Sequence, residues 1–207
     1  MPQFNGGRLT GVIHLNGNLL CAVDCETSGD DPGYHDLLKL AVLPLSHALE
    51  PWYLHKPFEM ELKPKRPENY DPTDKKVNRL LFCHAQTHGM DPDRAADLFE
   101  EWVAKWNLAP GKMISPLAQN WPHDRGFLID WLGKRGFSDF FDARYRDTMS
   151  LANAINDRED MKIEPAPFTR IGLKNLCAYF CIDNPHPHDP LSDCIATAAV
   201  YKKLLLM

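Results

Sequence analysis

The fold is written most clearly in LLCAVDCETSG, residues 19–29. Five consecutive apolar residues, Leu19, Leu20, Cys21, Ala22 and Val23, run into two acids and end at Gly29. A short unbroken apolar run closed by a turn signal is the pattern of a central strand buried on both faces. Side chains alternate along a strand, so Asp24 and Glu26 point the same way, with Cα atoms roughly 6–7 Å apart. They stand where the buried run gives out, at the strand's carboxyl edge, where α/β sheets carry their sites. Two such carboxylates can share hard cations such as Mg²⁺ or Mn²⁺, which prefer oxygen ligands. Taken alone, an Asp-x-Glu pair at a strand end is more often a solvated turn than a metal site, so further groups have to converge on it.

Outward from this strand, DLLKLAVLPL (residues 36–45) reads as a second strand and WYLHKPFEMELKP (residues 52–64) as a third, in which Phe58, Met60 and Leu62 alternate with Glu59 and Glu61. KPKRPENYDPTDKK (residues 63–76) is rich in proline and charge and reads as a surface connection. Asp91 before Pro92 is a good cap before a good first helical residue. Ala95, Leu98, Phe99, Trp102, Val103 and Trp106 then recur at helical spacing. GKMISPLAQN (residues 111–120) offers a further strand, and HDRGFLIDWLGKRG (residues 123–136) a helix with Phe127, Leu128, Trp131 and Leu132 on one face. Residues 145–155, 171–182 and 189–206 supply three more helices. Strands first, then strand and helices mixed, predict an α/β fold, a mixed central sheet flanked by helices. With 207 residues and no internal repeat, linker or low-complexity tract, one domain over residues 1–207 is expected, its core at about residues 19–205.

Apolar residues make up 44% and charged residues 25% of the chain, the balance of a soluble protein. No secretory signal pattern opens the sequence, and no stretch approaches the roughly 18 uninterrupted apolar residues of a membrane span. A cytoplasmic protein with no membrane association is expected. Six cysteines without a CxxC pair exclude zinc-ribbon and thioredoxin-type signatures and fit reduced thiols.

Two further segments carry chemistry. In AQNWPHDRGFL (residues 118–128), Asp124 stands at the start of a predicted helix just after a strand. The helix dipole alone would explain an acid there. Asn120, four residues earlier, can orient it, and Trp121 is placed to stack on a base. In PHPHDPLSDCIATAAVY (residues 185–201), Asp189 and Pro190 form a cap and first helical residue, leaving His188 in the incoming loop and Asp193 in about the first turn. On a continuous helix a five-residue separation would hold His188 and Asp193 about 140° apart. The Asp-Pro break frees the histidine to hang over a metal that Asp193 binds. His186, with a different spacing, reads as an ordinary surface histidine.

Together these segments resemble the DEDD exonucleases of the DnaQ-like group, in the subclass whose fifth residue is histidine. VDCETSG (residues 23–29) looks like the first motif, Asp-x-Glu-Thr-(Thr/Ser)-Gly. NWPHDRGFL (residues 120–128) looks like the second and HDPLSD (residues 188–193) like the third, in family order. RDTMSLA (residues 146–152) and THGM (residues 87–90) are secondary echoes. Gln119 stands where the family usually has His, His123 where it has Phe, and Lys39 where a Glu is common, departures that bear on subfamily and on the strand-end pocket.

The resemblance implies a single-domain RNase H-like fold and a 3′-to-5′ exonuclease acting on 3′ ends of single-stranded nucleic acid, DNA slightly preferred over RNA, with release of nucleoside 5′-monophosphates. It implies two divalent cations, Mg²⁺ or Mn²⁺, about 3.5–4 Å apart. Asp24 would bridge them, Glu26 and Asp193 complete the first site, and Asp124 hold the second. His188 would be the general base, since an imidazole is the side chain best suited to exchange a proton near neutral pH. Thr27 would contact the terminal sugar or phosphate. Two alternatives stand beside this reading: an oligoribonuclease- or RNase T-like trimmer of RNA, and a non-catalytic nucleic-acid-binding or polymerase accessory subunit. A homodimer and an association with a polymerase are both left open.

A formal charge of −5 argues against a broad basic nucleic-acid surface. Four of the negative charges belong to the proposed site, however, and two bound cations would bring the total close to neutral. Other candidates have bland counterparts. Cys83, His84 and His88 include an i, i+4 histidine pair that could hold zinc, without the glutamate of a zincin. Tyr34, Phe82 and Phe168 could stack on bases or be core. Lys63, Lys65 and Arg66, with Arg125 and Lys174, could guide a phosphate backbone or be solvated surface.

Overall fold

The computed structural model describes residues 17–52, 55–70 and 79–207. The apolar run forms β1 (Leu19–Thr27), and it is the middle strand of five. β2 (Leu37–Pro44) pairs antiparallel with β1, and β3 (Phe58–Glu61) antiparallel with β2. On the other side β4 (Ile114–Ala118) runs parallel to β1, and the two-residue β5 (Arg146–Asp147) parallel to β4. The order β3-β2-β1-β4-β5 makes the mixed sheet expected from the sequence.

Six α-helices complete the described residues: α1 (Arg79–His88), α2 (Pro92–Ala104), α3 (Trp121–Phe140), α4 (Thr148–Asp160), α5 (Leu173–Phe180) and α6 (Pro190–Leu204). Alternation in β1 sorts them into two layers. Leu19, Cys21 and Val23 pack with Phe99 and Trp102 of α2 and Phe127 and Leu128 of α3. Leu20 and Ala22 pack with Cys194 and Ala198 of α6. A third cluster joins Ala152 and Ile155 of α4, Leu176 and Cys177 of α5, and Ala196 and Val200 of α6. Continuing the alternation, Asp24 and Glu26 fall on the α6 side and Cys25 on the α3 side.

Local signals placed some boundaries better than others. Asp91 caps α2 by accepting from the N–H groups of Asp93 and Arg94 at 3.1 Å each. The expected third strand shrinks to Phe58–Glu61, between Pro57 and Pro64. Residues 145–155 do not form one helix, because Arg146 and Asp147 pair as β5 and the Asp147 carboxylate then caps α4 at Ser150 N, 2.8 Å. The helix expected at residues 123–136 begins at Trp121, and Gly133, at φ 72° and ψ 157°, breaks it into two helical runs. α1 has no counterpart among the sequence expectations: Leu80, Leu81 and Phe82 are consecutive instead of helically spaced, and Phe82 and Ala85 are its buried residues. Gly89 follows it where a Cβ would lie 2.4 Å from the Ala85 carbonyl oxygen, and this close approach lets Met90 bridge to Leu62 beside β3. All six cysteines are unpaired thiols. Among the described residues, no helix is long and apolar enough to cross a membrane.

Phe99 sits within an aromatic cluster of the α2–α3 layer. It is fully buried, with ring contacts to Phe58, Trp102, Trp131, Phe140 and Phe141 at 5.0–5.9 Å between centroids. Phe99→Ala is expected to destabilise the protein by about 3–5 kcal/mol, measured by urea unfolding, because so rigid an aromatic cluster cannot collapse into the cavity.

Candidate active site

The register of β1 with β4 ends at Ala22 opposite Leu117, and the chain leaves β4 after Ala118 to enter α3 at Trp121. The last residues of β1 therefore keep β2 on one side, Asp24 opposite Ala41 and Glu26 opposite Lys39, and have no strand on the other. Into this opening α3 brings Asp124, and α6 brings Asp193 with the loop before it.

Asp193 is 8% exposed, and both its oxygens are held. Asn184 Nδ2 donates to Oδ1 at 2.6 Å and the His188 backbone N–H to Oδ2 at 3.1 Å. Asn184 is in turn fixed by Ser192 Oγ, which donates to its Oδ1 at 2.6 Å. His188 adopts a left-handed backbone, φ 66°, and its side chain is exposed. This reversal just before the Asp189 cap brings the imidazole back over the helix start. One ligand atom each from Glu26, His188 and Asp193 lie within 4.8 Å of one another. Among the described residues this is the one His, Cys, Asp or Glu group close enough to share an ion. Two carboxylates and an imidazole suit a divalent cation, and the imidazole can equally hold a proton.

The charges strain against each other. Burial, reinforced by Asp124, Asp193, Glu26 and Asp189, holds the Asp24 carboxyl well above the usual range. Burial pushes Glu26 up to about 7, with Asp193 and Asp189 adding to the effect and the Lys39 ammonium opposing it. Asp124, 3% exposed, is pushed up to about 8 by burial, against hydrogen bonds from the Cys25 thiol, its own N–H and the Cys25 N–H. Carboxylates so crowded and dehydrated are a cation-demanding set: Glu26 and Asp193 with His188 on one side, and Asp24 and Asp124 beside them.

Other expected residues meet different fates. Thr27 donates its hydroxyl to the Gly29 carbonyl at 2.7 Å, closing the turn after β1. Gly29 is needed there, since a Cβ would lie 2.4 Å from the His35 ring. Asn120 is exposed at the left-handed N-cap of α3, φ 69°, with no side-chain cap bond and no bond to Asp124. Trp121 requires a correction. It is 1% exposed and its ring packs near Phe137, Phe141 and Tyr145, so it offers no face to a nucleotide base. At the first turn of α3 its side chain turns inward as its backbone N–H is held by Asp147 Oδ2 at 2.5 Å.

Arg66 is likewise consumed internally, by Asp36 at 3.0 Å, by Asp130, and by the carbonyls of Gly33 and His35. Phe82 stacks on Tyr70 inside a small core cluster, and Phe168 is buried against Tyr179 and Phe180. His84 pairs with Glu61 at 2.6 Å and stacks on His88, a helix-surface contact and not a three-ligand set. Asn184 was missed by sequence reasoning, because nothing in its local pattern marks a side chain that reaches forward to Asp193.

A family model described as Exonuclease (RNase T) matches residues 21–201, most of the chain and every residue of the cluster. The chain belongs to the RNase T exonuclease family. Exonuclease I from Methylocaldum szegediense shares the fold at TM-score 0.60 and 22% identity, over 91% of this chain and 40% of its own. E. coli exonuclease I in complex with a dT13 oligonucleotide gives 0.59 at 15% identity, over 90% and 41%. The nuclease domain of 3′hExo, a DEDDh family member bound to rAMP, gives 0.60 at 15% identity and covers 94% of both chains. The chain thus spans about 40% of the length of the exonuclease I proteins, and its fold is the RNase H-like arrangement of DEDDh nuclease domains. Among curated proteins, none matches the sequence.

The raised carboxyl groups carry a pH signature. Glu26 and Asp124 rise from ordinary values of 4.5 and 3.8 to about 7 and about 8 on folding, so between these limits the metal-free folded state binds more protons than the unfolded chain. Their contribution to stability is greatest in acid and is lost as pH rises through that window. In EDTA, the melting temperature of Asp124→Asn is expected to exceed that of wild type at pH 8 and to fall less steeply between pH 5 and pH 8. Mg²⁺ or Mn²⁺ should raise the wild-type melting temperature more at pH 8 than at pH 5, since the ion competes with protons for the same oxygens. Differential scanning fluorimetry measures both.

Proposed function

We propose that the chain is a metal-dependent 3′-to-5′ exonuclease that hydrolyses the terminal phosphodiester of single-stranded nucleic acid, DNA slightly preferred over RNA, and releases nucleoside 5′-monophosphates. The observation that carries this reading is the convergence of Glu26, His188 and Asp193 within 4.8 Å at the open end of β1. Asp124 stands close enough to Asp24 to raise its carboxyl further. Family membership and the oligonucleotide and nucleotide complexes of the similar structures support it.

Two divalent cations, Mg²⁺ or Mn²⁺, would supply charge stabilisation at phosphorus and a water of lowered pKa. Asp24, Glu26 and Asp193 would hold one and Asp24 with Asp124 the other. His188 is suited to accept a proton from the attacking water, because it reaches Asp193 through its backbone N–H and leaves the ring free. Water adds to phosphorus, the bond to the 3′ oxygen breaks, and that oxygen takes a proton as the shortened strand departs. Lys174 of α5 lines the same pocket as His188 and Asp193, a positive side chain beside the site that suits the phosphate of a strand end. A second reading, RNA trimming, draws on the 3′hExo domain with rAMP, which matches this chain over 94% of both lengths.

The test is degradation of 5′-labelled single-stranded DNA and RNA of equal sequence with Mg²⁺ or Mn²⁺, beside an Asp24→Ala control. Wild type should shorten the strands stepwise, and the relative rates decide between the two substrates. Wild-type protein that leaves both uncut would overturn the reading. His188→Asn, which tolerates the left-handed backbone, is expected to lower kcat by about 10²- to 10⁴-fold with the melting temperature unchanged.

A further inference from the structure

Apart from opposing the rise at Glu26, Lys39 has no role in the chemistry described so far, yet it stands on β2 opposite Glu26 in the strand register. Its ammonium reaches Asp189 Oδ1 at 2.5 Å. The other oxygen of Asp189 accepts from Ser192 N at 3.3 Å and caps α6. Asp189 directly follows His188, so one carboxylate joins the sheet, the helix start and the loop that carries the imidazole. The neighbouring residues Pro185, His186, Pro187 and His188 are all exposed. Two of the loop's other ties, from Asn184 and from the His188 N–H, end on the Asp193 carboxylate, the group that would also face a cation. The Lys39 contact is a tie to the sheet that makes no demand on Asp193.

We propose that Lys39 is a positioning residue whose ion pair with Asp189 fastens the His188 loop to β2 and sets the imidazole over Glu26 and Asp193. This rests on the reading of His188 as the proton acceptor. The pair is partly exposed, 26% and 36% at the two side chains, so its weight in global stability is small and its effect is on placement. An imidazole displaced by about 1 Å from the attacking water forfeits much of its advantage.

The test uses Lys39→Met, Lys39→Arg, Asp189→Asn and the Lys39→Met/Asp189→Asn double variant in the full chain. Asn is as good a helix cap as Asp, so Asp189→Asn removes the charge and keeps α6 started. Lys39→Met and Asp189→Asn are each expected to lower kcat about tenfold with KM within about twofold, the double variant being no worse than either single change. Lys39→Arg should recover most of the loss. Melting temperatures should stay within about 4 °C of wild type. A second readout needs no turnover: amide hydrogen exchange at His188 should speed up about tenfold in Lys39→Met and Asp189→Asn while the β1 amides keep their protection.

Wild-type kcat in Asp189→Asn beside a loss in Lys39→Met would assign Lys39 to Glu26 directly and overturn the tether. Unchanged exchange at His188 in Lys39→Met would also overturn it, as would a loss of activity that merely follows loss of folded protein, with Arg no better than Met. If wild type itself cuts nothing, the exonuclease reading falls while exchange at His188 still decides whether Lys39 holds the loop.

Discussion

Beyond Ala22, β1 has no strand on its β4 side, and the site depends on that opening. A parallel neighbour continued past Ala118 would have paired the Cys25 N–H and covered the strand end. Instead the chain turns out of β4 within a few residues, and the left-handed Asn120 starts α3 with its first turn over the gap. The Asp124 carboxylate takes the Cys25 N–H that β4 leaves unpaired. The same departure that exposes a backbone donor thus delivers the acid to satisfy it.

Gathering carboxylates at one buried strand end is costly. Burial raises Asp24, Glu26 and Asp124, and neighbouring carboxylates add to it, Asp124, Asp193, Glu26 and Asp189 at Asp24, Asp193 and Asp189 at Glu26, and Asp147 at Asp124. Such an arrangement persists because β1 and α6 are anchored elsewhere, by Leu20 and Ala22 against Cys194 and Ala198. The apolar half of each element supports the strained polar half. The ordered loop before α6 belongs to the same balance: Asn184 and the His188 N–H neutralise part of the Asp193 charge, while Lys39 offsets that of Glu26 and Asp189.

The left-handed residue at 188 resolves a geometric problem posed by spacing. Five residues on a helix diverge, and only a chain reversal before the cap lets His188 and Asp193 look at one point. Asp189 and Pro190 impose the start of α6 just after that reversal, and Asp189 uses its second oxygen to reach the sheet. Capping and site geometry are therefore one feature.

β1, the caps at Asp91 and Asp189, and the positions of Asp24, Glu26, Asp124 and Asp193 are legible in the sequence, because each is written in a run of neighbouring residues with its own period or start signal. The sequence also contained the reason His188 escapes helical spacing. Long-range packing sets the rest: Trp121 turns into the core, Arg66 is taken up by Asp36 and Asp130, and Asn184 and Lys39 close on the site. The Lys39–Asp189 contact spans 150 positions. Arg66 meets Asp130 across 64. Pairings at such separations leave no local periodicity, so only the packing of β2 against α6, and of α3 against the loop after β3, brings them within reach.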